Sequence, residues 1–317
     1  MKSPLPIDQV LPDLREALQE SPSAVLIAPT GAGKTTRVPP ALLDQVEGRI
    51  VMLEPRRIAA RAAARRMAEE GDWRVGDEVG YQVRFDRKAG PSTRILVVTE
   101  GILVQMLQAD PFLEGVGAVI FDEIHERSLH TDLSLAMARR VQREVRSDLK
   151  LLAMSATIDP GPISEYLDAP VIQSEGRLYP VEVRYLDRET PIATAVRRAL
   201  TETTGDILVF LPGVGEIDRA AQTLAGEKDL AVLPLYGDLP AERQDEVLRP
   251  LTRRKVVLAT NVAETSVTVE GVTAVVDGGL VRRMRYDPST GLDRLELGKI
   301  SRASADQRAG RAGRQGP

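Results

Sequence analysis

The sequence of 317 residues contains no cysteine. This excludes disulfides, thiolate zinc sites and cysteine nucleophiles, and it suits a reducing compartment, so we expect a cytoplasmic protein. The start of the chain, Met1 to Pro6, carries no signal-peptide pattern. No apolar run approaches the ~20 residues that are needed to cross a bilayer, and we expect no membrane partner.

Aromatic residues are also scarce, with one Trp and four Phe. A surface that stacks on several bases in succession is therefore not expected. The net charge of -4 argues against a protein that wraps duplex nucleic acid by bulk electrostatics, although it leaves room for a local basic groove. Any nucleic-acid contact should be directed at phosphate and sugar, with weak sequence preference.

The length of 317 residues exceeds the size at which single hydrophobic cores stop growing, and it predicts about two domains. Short apolar runs with β-propensity alternate with helical stretches along both halves: Ala24–Ile27, Ile50–Leu53, Ile95–Val98, Ala118–Phe121, Leu151–Met154, Ile207–Leu211, Val232–Leu235, Val256–Ala259 and Ala274–Asp277. Such alternation predicts parallel sheets covered by helices. We expect an α/β protein with two tandem domains, residues 1–177 and 178–317, each a mostly parallel sheet with helices on both faces.

A glycine-rich run after the first apolar segment is typical of a phosphate-binding loop. It consists of Ala28, Pro29, Thr30, Gly31, Ala32, Gly33, Lys34, Thr35 and Thr36, followed by a plausible helix through Leu43. Glycines let backbone N–H groups turn toward phosphate oxygens, Lys34 reaches the β and γ phosphates, and the Thr35 hydroxyl is placed to hold Mg²⁺. Ala28 departs from the first glycine of the general pattern, and a chance turn is the alternative.

Two carboxylates and a histidine follow the strand that ends at Phe121, in the order Asp122-Glu123-Ile124-His125. Ligands of α/β sheets bind at the carboxyl ends of strands, so we expect Asp122 to hold Mg²⁺. Glu123 is expected to contribute to the same metal site and to deprotonate the attacking water. A solvated Asp-Glu pair is the alternative. His125 is a candidate relay, whereas His130 is expected to be structural; two histidines leave little for a zinc site or a Ser-His-Asp hydrolase.

Near the end of the chain lies the run Gln307-Arg308-Ala309-Gly310-Arg311-Ala312-Gly313-Arg314. Arginines in this spacing can approach a phosphate that another domain holds, and they can stabilise the charge that develops during phosphoryl transfer. The pattern predicts that two domains close on one nucleotide.

Several further short motifs occur in one order along the chain. With the three above, they are Pro55-Arg56-Arg57, Thr99-Glu100-Gly101, Ser155-Ala156-Thr157, Phe210-Leu211-Pro212-Gly213, Tyr236-Gly237 and Thr260-Asn261-Val262-Ala263-Glu264-Thr265-Ser266. Over essentially the whole chain, this order resembles the DEAH-box group of superfamily 2 helicases. The resemblance implies an ATP-dependent RNA helicase core of two RecA-like domains, with ATP and Mg²⁺ between them and a single strand of RNA, or of DNA, lying across both.

The resemblance also implies roles for individual residues. The catalytic set would be Lys34, Glu123, Gln307, Arg311 and Arg314, with Arg308 structural. Ser266 would complete the sensor of the γ-phosphate, Arg66 would stack on one face of adenine, and Leu248 would cover the other. Contacts to the strand backbone would come from Arg57, Arg84, Thr99, Thr260 and Asn261. Ser155-Ala156-Thr157 would couple the Asp122 strand end to the cleft, with a plain Ser/Thr turn as the alternative.

Two sequence details narrow these expectations. Leu248 offers apolar contact without π-stacking, so we expect loose base selectivity. Arg57, Arg61 and Arg65 recur every four residues, which places three positive charges on one helix face that is either solvated or turned toward phosphate. The resemblance assigns Arg57 to the strand and leaves Arg61 and Arg65 solvated.

The chain stops soon after the arginine motif, where helicases of this group continue into accessory domains. We therefore expect a truncated, monomeric core, for which ATP hydrolysis is better supported than unwinding. One alternative is a nucleotide-controlled clamp that binds and releases RNA or ribonucleoprotein without moving along it. Another is a P-loop enzyme such as a small-molecule kinase, which the distal Gln/Arg motif argues against.

Overall fold

The computed structural model describes residues 4–156, 159–175, 179–187, 189–227, 229–264, 267 and 269–313. The chain divides into two compact units, Met1–Arg177 and Leu178–Pro317. Within the described ranges, none of the helices combines the length and the apolar character that a membrane crossing requires.

The first unit is built on one eight-stranded sheet. Its strands are β1 Ser23–Ile27, β2 Arg49–Leu53, β3 Val79–Val83, β4 Asp86–Lys88, β5 Ile95–Val98, β6 Val116–Phe121, β7 Lys150–Ser155 and β8 Val171–Gln173. The order across the sheet is β4-β3-β5-β2-β6-β7-β1-β8. All neighbours run parallel except β3 and β4, which pair antiparallel at one edge. The carboxyl ends of seven strands therefore share one side of the sheet.

Helices cover both faces of this sheet. They are α1 Leu11–Glu20, α2 Lys34–Ala41, α3 Arg57–Gly71, α4 Glu100–Ala109, α5 Leu129–Glu144 and α6 Gly161–Leu167. Because successive residues of a strand point to opposite faces, each strand contributes to two cores. In β2, Ile50 and Met52 pack with residues of α1, α2 and α3, while Val51 and Leu53 pack with residues of α4, α5 and α6.

Helix α2 ends at Ala41, two residues before the end predicted from the sequence. Pro39 and Pro40 lie inside its last turn and have no N–H to donate, so they weaken the ladder of hydrogen bonds there. The early end leaves α2 with eight residues, and its first residue is Lys34.

The second unit holds a smaller parallel sheet in the order β10-β11-β9-β12. Its strands are β9 Asp206–Phe210, β10 Leu230–Leu235, β11 Arg254–Ala259 and β12 Val272–Asp277, and its helices are α7 Ile192–Glu202, α8 Val214–Leu224, α9 Ala241–Leu248 and α10 Arg302–Ala309. One core joins α7 and α8 to alternate residues of β9 and β11. The α/β class and the mostly parallel sheets expected from the sequence are confirmed.

A separate antiparallel hairpin follows this sheet, formed by β13 Leu280–Asp287 and β14 Leu292–Lys299. Met284 pairs with Leu295, and both side chains are exposed, as are those of Tyr286 and Leu297. This hairpin was not predicted from the sequence, because its arginines interrupt the apolar alternation that identifies a half-buried strand.

Candidate functional site

Residues expected to act on nucleotide or nucleic acid follow the carboxyl ends of six parallel strands in the first unit. From one side of the sheet to the other they are Arg84 after β3, Thr99 after β5, Arg57 after β2, Asp122 after β6, Ser155 at the end of β7 and Ala28 after β1. This edge therefore has two parts. We call the ends of β6, β7 and β1 the phosphate half, and the ends of β3, β5 and β2 the outer half.

The glycine-rich loop lies in the phosphate half. The Ala28 N–H donates to the carbonyl of Ser155 at 3.0 Å, which joins the start of the loop to β7. Gly31 and Gly33 have φ angles of 87° and 97°, in the left-handed region that glycine adopts at little energetic cost. A Cβ atom on Gly33 would lie 2.6 Å from Cδ1 of Leu5, so a larger residue would also clash there. The loop turns directly into the N-terminus of α2, where N–H groups without helical partners favour an anion.

The two polar side chains at the start of α2 contact the two carboxylates that follow β6. The Lys34 ammonium lies 2.8 Å from Glu123 Oε1, with the two side chains 4% and 2% exposed. The Thr35 hydroxyl donates to Asp122 Oδ2 at 2.5 Å. Four side chains that the sequence analysis assigned to phosphate, metal and water chemistry are thus in direct contact.

Glu123 has a left-handed backbone with φ of 51°, although it is not a glycine. This conformation costs on the order of 1 kcal/mol for an L-residue, and residues held in it cluster at functional sites. Just beyond the turn, His125 Nδ1 lies 3.4 Å from Glu123 Oε2 and 3.2 Å from the Ser155 hydroxyl. His125 therefore links the carboxylate after β6 to the end of β7.

A third carboxyl group, which the sequence analysis missed, lies beside this pair. Glu54 follows β2, is fully buried, and sits next to Asp122 because Leu53 is in register with Phe121. Among the described side chains, none donates a hydrogen bond to either Glu54 oxygen. Burial, together with the charges of Asp122 and Glu123, raises the pKa of Glu54 well above its usual range. A protonated Glu54 would donate a hydrogen bond to Asp122.

The same burial raises the pKa of Asp122, against the opposing effect of Lys34. For Lys34, burial alone would lower the pKa, but the charges of Glu123 and Asp122 outweigh it and the net shift is upward. The cluster holds three carboxyl groups and one ammonium group. Its balance of charge therefore favours a bound proton or a bound cation.

The residues around Asp122 fit a magnesium ion. Mg²⁺ prefers hard oxygen ligands and binds through one or two carboxylates together with water and phosphate oxygens. Thr35 and Asp122 supply a hydroxyl and a carboxylate oxygen that already meet at 2.5 Å. Glu123, the third predicted ligand, has one oxygen on Lys34. The described residues contain no cluster of three or more acidic, histidine or cysteine side chains that could hold a metal ion, so water and phosphate oxygens would complete the coordination.

The outer half carries the residues predicted to touch a nucleic-acid strand. Arg57 is the first residue of α3 and is exposed, Thr99 precedes α4 and is 9% exposed, and Arg84 is exposed in the turn between β3 and β4. The guanidinium of Arg84 lies 4.7 Å above the ring centre of Phe85. Phe85 is 90% exposed and has a φ of 64°, so this turn presents an aromatic ring that the sequence analysis overlooked.

Three arginines of α3 have different environments. Arg61 pairs with Asp86 of β4 at 3.3 Å, so it is not a purely solvated charge. Arg66, the predicted adenine contact, is half exposed and its Nε donates to Glu70 at 2.7 Å. The charge of Arg65 opposes a rise in the pKa of the Tyr81 hydroxyl of β3; burial is the main cause of the rise.

In the second unit, two arginines of the distal motif are buried. Arg308 pairs with Glu264 at 2.8 Å and with Asp277 at 2.9 Å, and its guanidinium lies 4.7 Å from the Phe210 ring centre. This environment agrees with the structural role assigned to it. Arg311, predicted to act on phosphate, is 4% exposed and donates to the backbone carbonyls of Glu264 and Val267.

The remaining predicted residues of the second unit lie at the ends of its elements. Thr260 follows β11 and Asn261 is exposed just beyond it, while Leu248 is half-buried at the end of α9 and Gln307 is half-buried in α10. Ser266 and Arg314, like Thr157 in the first unit, lie outside the described residues.

This fold and this arrangement of motifs agree with two helicase domain families. The DEAD/DEAH box helicase domain matches residues 9–165, and the helicase conserved C-terminal domain matches residues 191–316. The chain thus carries a DEAD/DEAH box helicase domain followed by a helicase conserved C-terminal domain.

Its relatives include two curated bacterial proteins. The chain is 50% identical to the ATP-dependent RNA helicase HrpB of Escherichia coli (strain K12), across 99% of the chain and 40% of that protein. It is 41% identical to the ATP-dependent RNA helicase HrpA homolog of Haemophilus influenzae, across 98% of the chain and 25% of that protein. The chain thus spans two fifths or less of the length of these relatives.

Solved structures agree with this assignment. The crystal structure of the Escherichia coli DEAH/RHA helicase HrpB matches with a TM-score of 0.92 and 50% identity, covering 99% of this chain and 42% of that one. A structure described as the E. coli DExH-box NTPase HrpB matches with a TM-score of 0.83 and 49% identity, covering the whole of this chain and 41% of the other. The expectation of tandem RecA-like domains is consistent with these matches.

Proposed function

We propose that this chain is the catalytic core of an ATP-dependent RNA helicase, which couples hydrolysis of Mg-ATP to binding of, and movement along, single-stranded RNA. The observation that carries the proposal is the contact among Lys34, Thr35, Asp122 and Glu123 at the N-terminus of α2. Residues 1–177 would form the ATP-binding domain and residues 178–317 the second helicase domain. We expect a monomer that works in the cytoplasm.

In this proposal, the loop from Ala28 to Thr36 cradles the phosphates, and Lys34 moves from Glu123 to the β and γ phosphates when nucleotide binds. Glu123, released from the ammonium group, accepts a proton from the attacking water. Magnesium held by Thr35 and Asp122 would neutralise charge on the phosphate oxygens. Because Glu123 is almost fully buried, the electrostatic effect of each of these groups is stronger than it would be in water.

Nucleic-acid binding in the first unit is assigned to the outer half. Guanidinium and hydroxyl donors of Arg57, Arg84 and Thr99 suit phosphate oxygens and carry little base information. The strands β2 and β6 are direct neighbours, so a change in the position of Asp122 reaches the start of α3 through adjacent backbone. In the second unit, Gln307, Arg311 and Arg314 would stabilise charge on the γ-phosphate, and Thr260 and Asn261 would bind the strand.

The test is steady-state hydrolysis of ATP with and without single-stranded RNA, on this chain and on Glu123→Gln. Strong stimulation by RNA that disappears in the variant would support the proposal, since general-base catalysis contributes about 10² to 10⁴ in rate. Hydrolysis that is absent or indifferent to RNA would refute it for this chain. Movement along a labelled strand then separates a translocating enzyme from a clamp that only binds and releases RNA.

A further inference from the structure

Two helices beside the phosphate loop share a cluster of charges that the proposed mechanism does not use. Glu70 of α3 contacts Arg66 one turn earlier on the same helix and Arg37 of α2. Arg66 Nε lies 2.7 Å from Glu70 Oε1, and Arg37 Nε lies 2.9 Å from Glu70 Oε2. Each carboxylate oxygen therefore has a different guanidinium as its partner.

The exposure of these three side chains is graded. Glu70 and Arg37 are each 12% exposed, whereas Arg66 is 52% exposed. The carboxylate thus lies between the helices, in an ion pair with Arg37 and in a hydrogen bond from Arg66, and Arg66 is the member of the cluster that faces outward. Its neighbour Glu69 is 70% exposed and reaches Arg66 only at 4.0 Å.

An ordinary helical ion pair between residues i and i+4 would have little consequence, since such pairs contribute about 0.3 to 0.5 kcal/mol. The pair of Arg66 and Glu70 differs from such pairs because Glu70 also contacts Arg37. A free arginine carries about 2 kcal/mol of rotamer entropy, part of which is lost whenever a ligand immobilises it. A carboxylate that is itself held by a second helix restricts Arg66 in advance and lowers that loss.

The cluster lies close to the phosphate loop. Arg37 follows Lys34 by three residues, so the two are separated by about 4.5 Å along α2. Lys34 begins the helix whose N-terminus faces the predicted phosphates. The outward-facing guanidinium of Arg66 is therefore on an element that packs directly against the nucleotide-binding helix.

We propose that Glu70 is a positioning residue that holds the guanidinium of Arg66 in place to stack on the base of a bound nucleotide. The inference rests on the proposed function, which assigns Arg66 to the base. A planar guanidinium recognises the face of an aromatic ring rather than its substituents. Glu70 would therefore strengthen binding of a nucleoside diphosphate without strengthening binding of a bare polyphosphate.

The experiment is isothermal titration of the whole chain, in the presence of Mg²⁺, with ADP and with inorganic tripolyphosphate. The variants are Glu70→Gln and, as a matched control, Glu69→Gln. We expect Glu70→Gln to weaken ADP binding about fivefold, which corresponds to about 1 kcal/mol, and to leave tripolyphosphate binding within about twofold. Glu69→Gln should change neither. Equal weakening of ADP and tripolyphosphate binding would overturn the proposal, because it would place the effect in α2, through Arg37. Unchanged binding of both ligands would also overturn it.

A double-mutant cycle with Arg66→Ala gives an independent check. Once Arg66 is removed, Glu70→Gln should have no further effect on ADP; a persisting effect would contradict the positioning role. If Glu70→Gln fails to fold, Glu70→Asp keeps the charge and should weaken ADP selectively, though less. If Glu70→Gln weakens only ADP binding and the wild-type chain does not hydrolyse ATP, the positioning role is supported and the proposed function is refuted. A wild-type chain that binds neither ligand would refute both.

Discussion

The two units present the residues of their motifs in opposite ways. In the first unit, Lys34, Thr35, Asp122 and Glu123 contact one another at the carboxyl edge of the sheet. In the second unit, Arg311 contacts the backbone of its own unit, and Arg308 is enclosed by two carboxylates and a ring. The first set is arranged for chemistry within one unit, whereas the arginines of the second are arranged as part of its packing.

The largest predicted effect is a fall in kcat when Arg311 of the second unit is replaced. If Arg311 leaves its carbonyl partners to act on phosphate, Arg311→Ala should lower RNA-stimulated kcat by about 10³, since arginine fingers contribute about 10³ to 10⁵. The measurement is hydrolysis at a temperature where circular dichroism shows the variant to be folded. Unchanged kcat in the folded variant would mean that Arg311 serves only the packing of the second unit.

Arg308 should affect stability rather than chemistry. Arg308→Met removes a buried guanidinium and leaves the partly exposed carboxylates of Glu264 and Asp277 without their partner, so we expect a loss of about 1 to 3 kcal/mol in the free energy of unfolding. Urea titration measures it. Arg302→Met, at an exposed position of the same helix, is the control and should change stability by less than about 0.5 kcal/mol. A small loss in Arg308→Met would show that the buried pairs are not needed.

Glu54 should make the stability of the first unit depend on pH. Its pKa in the folded protein is raised, so the folded state binds its proton more tightly than the unfolded chain does. The free energy of unfolding should therefore fall as pH rises above the ordinary glutamate value, near 4.5. Each unit of pKa difference corresponds to about 1.4 kcal/mol.

Glu54→Gln should weaken this dependence, and the part that remains comes from Asp122, whose pKa burial also raises. Urea titrations between pH 5 and pH 8, without nucleotide or magnesium, would detect the difference. Glu47→Gln, at an exposed position, should retain the dependence. A wild-type profile as flat as that of Glu54→Gln would argue that Glu54 is ionised in the folded protein.

The smallest effect concerns the base. Leu248 provides an apolar contact without a ring, so GTP and CTP should be hydrolysed with kcat/KM within about fivefold of ATP, which is about 1 kcal/mol. Competition assays with the three nucleotides would measure this. A preference for ATP of a hundredfold or more would require polar groups that read the edge of adenine.

Sequence patterns predicted the parts of this protein that depend on local rules. Apolar runs such as Ile50–Leu53 predicted buried strands. The glycines around Gly33 predicted a turn, because glycine adopts the left-handed φ angle there at little energetic cost. Glu54 was missed because a single carboxyl group after a strand has no pattern until β2 and β6 are paired. The burial of Arg311 was equally invisible, since its partners are backbone carbonyls more than forty residues away.

The order of the strands along the chain determines when the phosphate loop can form during synthesis. Strand β1 pairs with β7, joining Ser23 to Leu151, and the Ala28 N–H needs the carbonyl of Ser155. The strands of the outer half lie between these two partners in the sequence. Because contacts between distant residues form late, a growing chain that has reached only Val98 holds the loop sequence without its supporting strand. During synthesis, the nucleotide site is therefore completed after the strands of the outer half have been made.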